Sequence, residues 1–381
     1  MGADTKPKRR RRLAVVVAAV ALMGTAIAAS GEPEHKEGAP AHHTTSGFRN
    51  PPGSPGPGPA KDRLPWLFKR LAGGFPEGEL PPGHVIPPEE AKLALAATDG
   101  RDSVTWIGHM TALLRLGGVT VLTDPWFSDR ASPLPGMGPK RMVPPGIAMA
   151  DLPPIDLVIL SHNHYDHLDL ASLDALPDRD RITAVVPLGL GGYFTDRDFG
   201  RVIELDWYEA TRAKGLTVTA LPAIHWSKRG LWDRNKTLWA AFALESADGM
   251  RVYFGGDSEY GPVFKETGEH YGGFDAALIS IGAYLPRAMM RGNHCTPEGG
   301  LRIGLDLGAQ TLIGMHWGTI LLGDDGPTQA AEAFRQAGRD AGLPDERVWL
   351  MRIGETRELK RRPVLETISD ATPLATEPPR P

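Results

Sequence analysis

Four potential metal ligands, His162, His164, Asp166 and His167, fall within six consecutive residues. They follow directly on an apolar run, residues 155–160 (Ile-Asp-Leu-Val-Ile-Leu), which reads as a buried strand. The whole stretch is Ser161-His162-Asn163-His164-Tyr165-Asp166-His167-Leu168-Asp169. In extended chain, residues two apart point the same way, so His162 and His164 share a face. Asp166 and His167 then turn across the opening of the loop. Three imidazoles and a carboxylate crowded after an apolar strand need a cation or many buried partners to offset their desolvation. Neutral imidazole and carboxylate suit zinc, iron or manganese. The sole cysteine, Cys295, excludes a disulfide within the chain and a Cys-rich zinc site.

A two-cation site needs more ligands, and they recur where apolar runs give way to loops. His225 ends Leu221-Pro222-Ala223-Ile224-His225. Asp257 ends Val252-Tyr253-Phe254-Gly255-Gly256-Asp257, with glycines permitting close approach. His316 ends Thr311-Leu312-Ile313-Gly314-Met315-His316. Each alone has an ordinary reading as packing or a turn; their shared placement is what one common site requires. Further strands are expected over 104–107, 216–221, 238–244, 251–254, 276–281 and 311–315. A hairpin is expected from 112–116 and 119–123 around Gly117-Gly118. Helices are expected over 297–307, with Thr296 as N-cap and Pro297 in the first turn, and over 328–341. Short strands with interspersed helices suggest an α/β sandwich.

The order His-x-His-x-Asp-His, then a later His, a Gly-Asp and a last His, resembles the metallo-β-lactamase superfamily. Trp106-Ile107-Gly108-His109, Leu122-Thr123-Asp124-Pro125, Val186-Pro187-Leu188-Gly189-Leu190, His225-Trp226, Ile281-Gly282-Ala283-Tyr284 and His316-Trp317-Gly318 are similar to the phospholipases D that hydrolyse N-acyl-phosphatidylethanolamine. This likeness runs from about Phe48 to Gly318. It implies an αββα sandwich, two Zn2+ ions (Mn2+ or Fe being accepted by the same donor types) and a phospholipid substrate. It further implies that His162, His164 and His225 hold one ion, that Asp166, His167 and His316 hold the other, and that Asp257 bridges them. His109 and Asp124 would orient ligands. Tyr284, Arg287 and His294 would sit near the substrate phosphate, with Asp166, Asp257 and His294 serving the chemistry. A homodimer is consistent with the same resemblance. A lactonase or other ester hydrolase on this scaffold is the alternative, because fold does not settle function. Glu259 stands where the resemblance expects glycine, and Leu285 where it expects an acidic residue; both lie near the expected substrate mouth.

Composition shifts divide the chain. Residues 1–30 join a basic run, Lys6 to Arg12, to an apolar stretch and Ala26-Ile27-Ala28, the layout of a signal peptide or an N-terminal anchor. That implies export to a periplasmic or extracytoplasmic location. Residues 31–63 are rich in Pro and Gly and read as an exposed linker, with His35, His42 and His43 as solvated side chains. Residues 64–362 form the hydrolase domain, and 363–381 a flexible tail. Residues 64–71, Leu-Pro-Trp-Leu-Phe-Lys-Arg-Leu, are read as packing on that domain, with a membrane surface as their other candidate partner. The formal net charge of −4 gives no sign of nucleic-acid binding.

Overall fold

The computed structural model describes residues 34–362 except 60, 62–64, 67, 70–77 and 135. The expected targeting segment and tail therefore lie outside the described residues, as does part of 64–71. A short antiparallel hairpin opens the described chain, β1 (His43–Thr44) and β2 (Gly47–Phe48).

Two seven-stranded sheets follow. The first runs, edge to edge, β16 (Thr356–Glu358), β3 (Ser103–Gly108), β4 (Thr111–Leu116), β5 (Val119–Thr123), β6 (Leu157–Ile159), β7 (Thr183–Pro187), β8 (Arg201–Leu205). The second runs β15 (Val348–Trp349), β14 (Ala309–Met315), β13 (Phe274–Ser280), β12 (Arg251–Phe254), β11 (Ala241–Glu245), β10 (Leu216–Leu221), β9 (Ala210–Ala213). In each sheet one half pairs antiparallel and the other parallel. The inner parallel strands β6, β7, β13 and β14 are largely apolar because both their faces are covered.

Alternation along the strands builds three layers of core. Val104, Trp106, Ala112, Leu114 and Val121 of the first sheet pack with Val218, Phe242, Val252 and Phe254 of the second. Their neighbours Ile107, Leu113, Leu122, Val158 and Val186 face the other way, onto Ala91 and Leu95 of the helix Pro88–Ala97 and Leu173 of the helix Leu170–Ala175. Leu301 and Ile303 of the helix Pro297–Asp306 and Phe334 of the helix Gln329–Asp340 cover the second sheet. The result is the expected αββα sandwich.

Most apolar runs become strands at nearly the expected bounds, and Thr296 caps its helix by accepting from the Gly299 amide at 3.1 Å. Two runs differ. Of 155–160 only Leu157–Ile159 joins the ladder, and of 238–244 the first residues leave it: Leu238 N donates to Leu188 O and Ala240 N to Ser161 O. Strands β8 and β9 were not expected at all. Both lie at sheet edges with mixed polar and apolar residues, so they carry no apolar run.

The reading of 31–63 as an exposed linker needs correction over its described part. His42, Thr44, Pro51 and Gly58 are buried. Phe48 N donates to Asn235 O at 2.8 Å. A Cβ on Gly58 would meet Ala288 O, and one on Gly292 would meet Pro55 O. Proline and glycine prevent ladder formation, but an extended chain with small residues can lie against other backbone. The segment is a strap, and His42 and His43 are partners of Asp206, not solvated side chains. Lys69 of the 64–71 segment pairs with Asp324 at 3.2 Å.

Candidate metal centre

The expected ligands converge in one crevice at strand ends. Asp124 follows β5, residues 161–167 follow β6, Asp257 follows β12 and His316 follows β14. His225 lies just past β10, and His109 in the turn after β3. Three of these turns hold non-glycine residues with positive φ: His109 (57°), Asp124 (34°) and His316 (66°). Such a conformation costs about 1–2 kcal/mol each. It persists because each strand must turn sharply to aim its side chain at the crevice.

Two groups of ligand atoms form. His162, His164 and His225 make the first: His162 Nε2 lies 2.8 Å and His225 Nε2 3.2 Å from His164 Nδ1. Asp166, His167 and His316 make the second, joined by His109. Asp257 Oδ2 stands between them, 3.1 Å from His167 Nε2, 3.2 Å from His316 Nε2, 3.9 Å from His225 Nε2 and 4.0 Å from His162 Nε2. A carboxylate in that position can bridge two cations.

Outer hydrogen bonds fix which ring nitrogen is free. Asp124 accepts from Ser161 N (2.7 Å), Ser161 Oγ (2.6 Å) and His167 Nδ1 (2.6 Å). With its hydroxyl proton given to Asp124, Ser161 Oγ accepts from His162 Nδ1 at 2.9 Å. His225 Nδ1 donates to the Asn293 carbonyl at 2.7 Å. Each of these three imidazoles therefore turns Nε2 to the crevice, the nitrogen a cation would bind in its unprotonated form. His109 Nε2 donates to Asp166 Oδ2 at 2.8 Å and holds that carboxylate in place.

The donor set fits a pair of divalent cations by a second criterion. Buried His164 Nε2, His167 Nε2, His316 Nε2 and Asp257 Oδ1 have no hydrogen-bond partner in the protein. Buried polar atoms without partners are costly, and cations would satisfy those that face the crevice. The charges point the same way. Burial depresses the pKa of His162 and His225, and that of His164 to about 3, so all three are neutral. Burial alone would raise Asp166 and Asp257, but the neighbouring imidazoles outweigh it and hold both carboxylates well below their usual range. Burial likewise opposes charge on His167 and His316. There the nearby carboxylates win, holding His167 well above its ordinary value and His316 at about 9. A cation would replace those protons.

The three expected substrate residues part company. His294 joins the centre: its ring lies 5.1 Å from that of His225 and 5.3 Å from that of His316. Its Nδ1 is 3.8 Å from Asp257 Oδ2 and has no hydrogen-bond partner. Arg287 is tied to neighbouring groups of the protein. Its guanidinium is held by the buried Glu259 carboxylate, and it donates to His294 O at 2.6 Å. The reason is the residue at 259: a carboxylate there captures the nearest guanidinium. Tyr284 is also not among the ligands; it is packed in the core, where burial raises its pKa and Gln329 lies by its hydroxyl. Cys295 is buried, and burial pushes its thiol up, away from a reactive thiolate.

Several residues of the centre are not among the expected site residues. Asn50 Oδ1, on the strap, accepts from the His225 amide at 2.9 Å and Trp239 Nε1 at 3.0 Å. Trp226 packs edge-on to His164 with ring centroids 4.4 Å apart. Thr319 Oγ1 accepts from the His109 amide at 2.8 Å. Ser161 stands beside the motif, but its pairing with Asp124 spans 37 residues.

Two variants probe this frame. Asp124→Asn replaces an acceptor of three hydrogen bonds by a group that is half donor. Metal affinity, measured by competition with a chromophoric chelator, is expected to fall about 10–100-fold; unchanged affinity would remove Asp124 from its orienting role. Gly282→Ala places a Cβ 2.0 Å from the His316 carbonyl oxygen. Backbone must move, so the denaturation midpoint should drop by the equivalent of about 1–3 kcal/mol. An unshifted midpoint would show that the turn at His316 can yield freely.

The fold and this arrangement of ligands define a metallohydrolase-type centre. A family model described as "Beta-lactamase superfamily domain" matches residues 119–317, more than half of the chain, and the chain belongs to that superfamily. It is 43% identical over 229 residues to an uncharacterized Mycobacterium tuberculosis protein, covering 58% of this chain and 60% of that one. It is 40% identical over 230 residues to N-acyl-phosphatidylethanolamine-hydrolyzing phospholipase D 1 of Caenorhabditis elegans, covering 58% and 64%. The mitochondrial enzyme of that name from Saccharomyces cerevisiae is 33% identical over 258 residues, covering 66% and 55%. The matches thus span somewhat under two thirds of each relative's length. Among solved structures, a metallo hydrolase from Ignicoccus hospitalis superposes with a TM-score of 0.52 at 23% identity, covering 68% of this chain and 99% of that one. A possible metal-dependent hydrolase from Veillonella parvula gives 0.55 at 18% identity, covering 68% and 100%. These two likenesses concern the fold alone.

Proposed function

We propose that this chain is a zinc-dependent phosphodiesterase of the phospholipase D type, acting on N-acyl-phosphatidylethanolamine or a similar phospholipid. The observation that carries the reading is the pair of ligand groups joined by Asp257. The likeness to the worm and yeast phospholipases supports the choice of substrate. Two divalent cations supply a water acidified to near neutral pH and neutralise charge growing on the phosphoryl oxygens.

The protein's own groups do the rest. His162, His164 and His225 would hold one cation and Asp166, His167 and His316 the other, with Asp257 placed between the two groups. Asp166, pinned by His109, is the carboxylate placed to align the attacking water. His294, whose Nδ1 is otherwise unpartnered, is placed to hydrogen-bond a phosphoryl or departing oxygen. Water adds to phosphorus, the bond from phosphorus to the ethanolamine-side oxygen breaks, and a proton moves to that oxygen. The products are an N-acylethanolamine and phosphatidic acid.

A lipid substrate also fits the surface. Trp232 and Phe68 are 78% and 66% exposed, and Leu231 and Leu134 are 44% and 43% exposed. Single exposed apolar residues are ordinary, but large aromatic ones favour an interface that is partly wet and partly apolar. Among the described residues no helix is long and apolar enough to cross a membrane, so contact through such side chains is the mode proposed. A cleft of about 590 Å³ beside Tyr165 and Asp169 combines Leu134, Leu168 and Leu170 with Arg130 and Arg229, a lining suited to an amphiphile with a phosphate. Residues 1–30 would direct export, placing the enzyme on an extracytoplasmic membrane face.

The test is hydrolysis of N-acyl-phosphatidylethanolamine in mixed micelles, with and without chelator. Release of N-acylethanolamine that stops with chelator and returns with zinc is the expected result. A metal-loaded protein that releases none would discard the lipid assignment and leave lactones and other phosphodiesters to be tried.

A further inference from the structure

A second cluster of ligand-type side chains lies outside the centre and shares no residue with it. His42 Nε2 is 2.6 Å from Asp206 Oδ1, and His43 Nε2 is 2.7 Å from Asp206 Oδ2. One ligand atom from each residue falls within 4.8 Å of the others. The histidines sit on the strap and Asp206 follows β8, 163 and 164 residues away along the chain.

The convergence is built by the local chain. Adjacent residues on a regular strand point to opposite faces, so two neighbouring histidines rarely meet at one carboxylate. Here the chain turns just before β1, with His43 N donating to Pro40 O at 2.9 Å, and both rings come to the same point. The His42 ring stacks on Trp207 at 4.2 Å and meets His43 edge-on at 4.6 Å. Asp206 is held from behind: its Oδ1 accepts from Trp207 N at 2.8 Å and its own amide donates to Glu209 Oε2 at 2.8 Å. His42 and Asp206 are each 8% exposed.

The charge of the cluster is incomplete. Among the described residues no lysine or arginine lies within ion-pair distance of Asp206; its charged-type partners are the two histidines. A nearly buried carboxylate facing two imidazoles is a donor set for a borderline divalent cation such as Zn2+, with a position left for water. We propose that His42, His43 and Asp206 form a separate mononuclear site for such a cation, which clasps the strap to the body of the protein. The clasp has a consequence for the metal centre, because the same strap carries Asn50, whose side chain holds the His225 amide.

Full-length protein carrying Asp257→Ala isolates the clasp, because that change is expected to empty the hydrolase centre. Titration of this variant with Zn2+ or Co2+ against a chromophoric chelator should show one equivalent. That equivalent should vanish when His43→Ala or Asp206→Asn is added. Independently, wild-type protein should carry one more metal per chain than His43→Ala, whatever the centre itself holds. X-ray absorption of Co2+ in the Asp257→Ala protein should show imidazole ligands, and this readout needs no clasp variant to fold. Equal metal content in wild type, His43→Ala and Asp206→Asn would overturn the proposal and leave a hydrogen-bonded clasp only. An Asp257→Ala protein that binds no Co2+ would overturn it as well. Wild-type protein that carries the clasp equivalent and a loaded centre but hydrolyses no phospholipid would count against the proposed function and not against the clasp.

Discussion

Asp257→Ala should lose metal and catalysis together. Asp257 Oδ2 is within 3.1–4.0 Å of ligand nitrogens from both groups, so it is placed to serve a cation in each. Its removal takes one negative charge from a crevice where two cations would face each other, and their repulsion is then unrelieved. Turnover should fall by about three orders of magnitude or more, the scale expected when transition-state charge loses its preorganised partner. Metal analysis of the purified variant should lose the equivalents held by the centre and keep only the one assigned to His42, His43 and Asp206, while circular dichroism stays native because the ligand loops rest on two intact sheets. A variant that keeps wild-type turnover would take Asp257 out of the centre.

Arg287→Ala should damage both stability and turnover, although Arg287 touches no ligand atom. Glu259 is 5% exposed, and the Arg287 guanidinium pairs with it. Removing the guanidinium leaves a buried carboxylate held, among the described residues, by the amides of Gly292 (2.9 Å) and Tyr260 (3.1 Å). Stranding a buried charge in this way costs about 3 kcal/mol, readable as a lower denaturation midpoint. The loop 287–295 loses the grip of Arg287 on the His294 carbonyl, and that loop also supplies the Asn293 carbonyl behind His225. Turnover should therefore fall about 10–100-fold, as for loss of a group that orients a ligand. Glu259→Gln combined with Arg287→Met removes both charges at once, and should be more stable than Arg287→Ala alone. Equal stability of wild type and Arg287→Ala would mean that the ion pair is not what fixes the loop.

The pairing of Arg287 with Glu259 also shows what a motif leaves open. A motif containing Ala-Tyr-x-Pro-Arg places an arginine near the substrate mouth. Whether that arginine meets a phosphate or a carboxylate depends on residue 259, which lies 28 positions away. The departure from glycine at 259 is visible in the sequence, but its consequence appears only when the two loops are brought together.

The sequence by itself determined the ligand types, their order and the strand ends that present them. It could do so because those signals are local: a histidine spacing of two, an apolar run before a loop, a glycine where a backbone must pass. Gly282 illustrates the last, since its missing Cβ is what lets His316 O approach. Tertiary structure alone decided what holds the ligands. Asp124 reaches Ser161 and His167 across 37 and 43 residues. Asn50 reaches His225 across 175. His42 and His43 reach Asp206 across 164 and 163. None of these pairs shares a period or a motif. Each exists because two sheets, folded face to face, bring distant loops to the same edge. There, buried polar atoms must find partners wherever the chain can supply them.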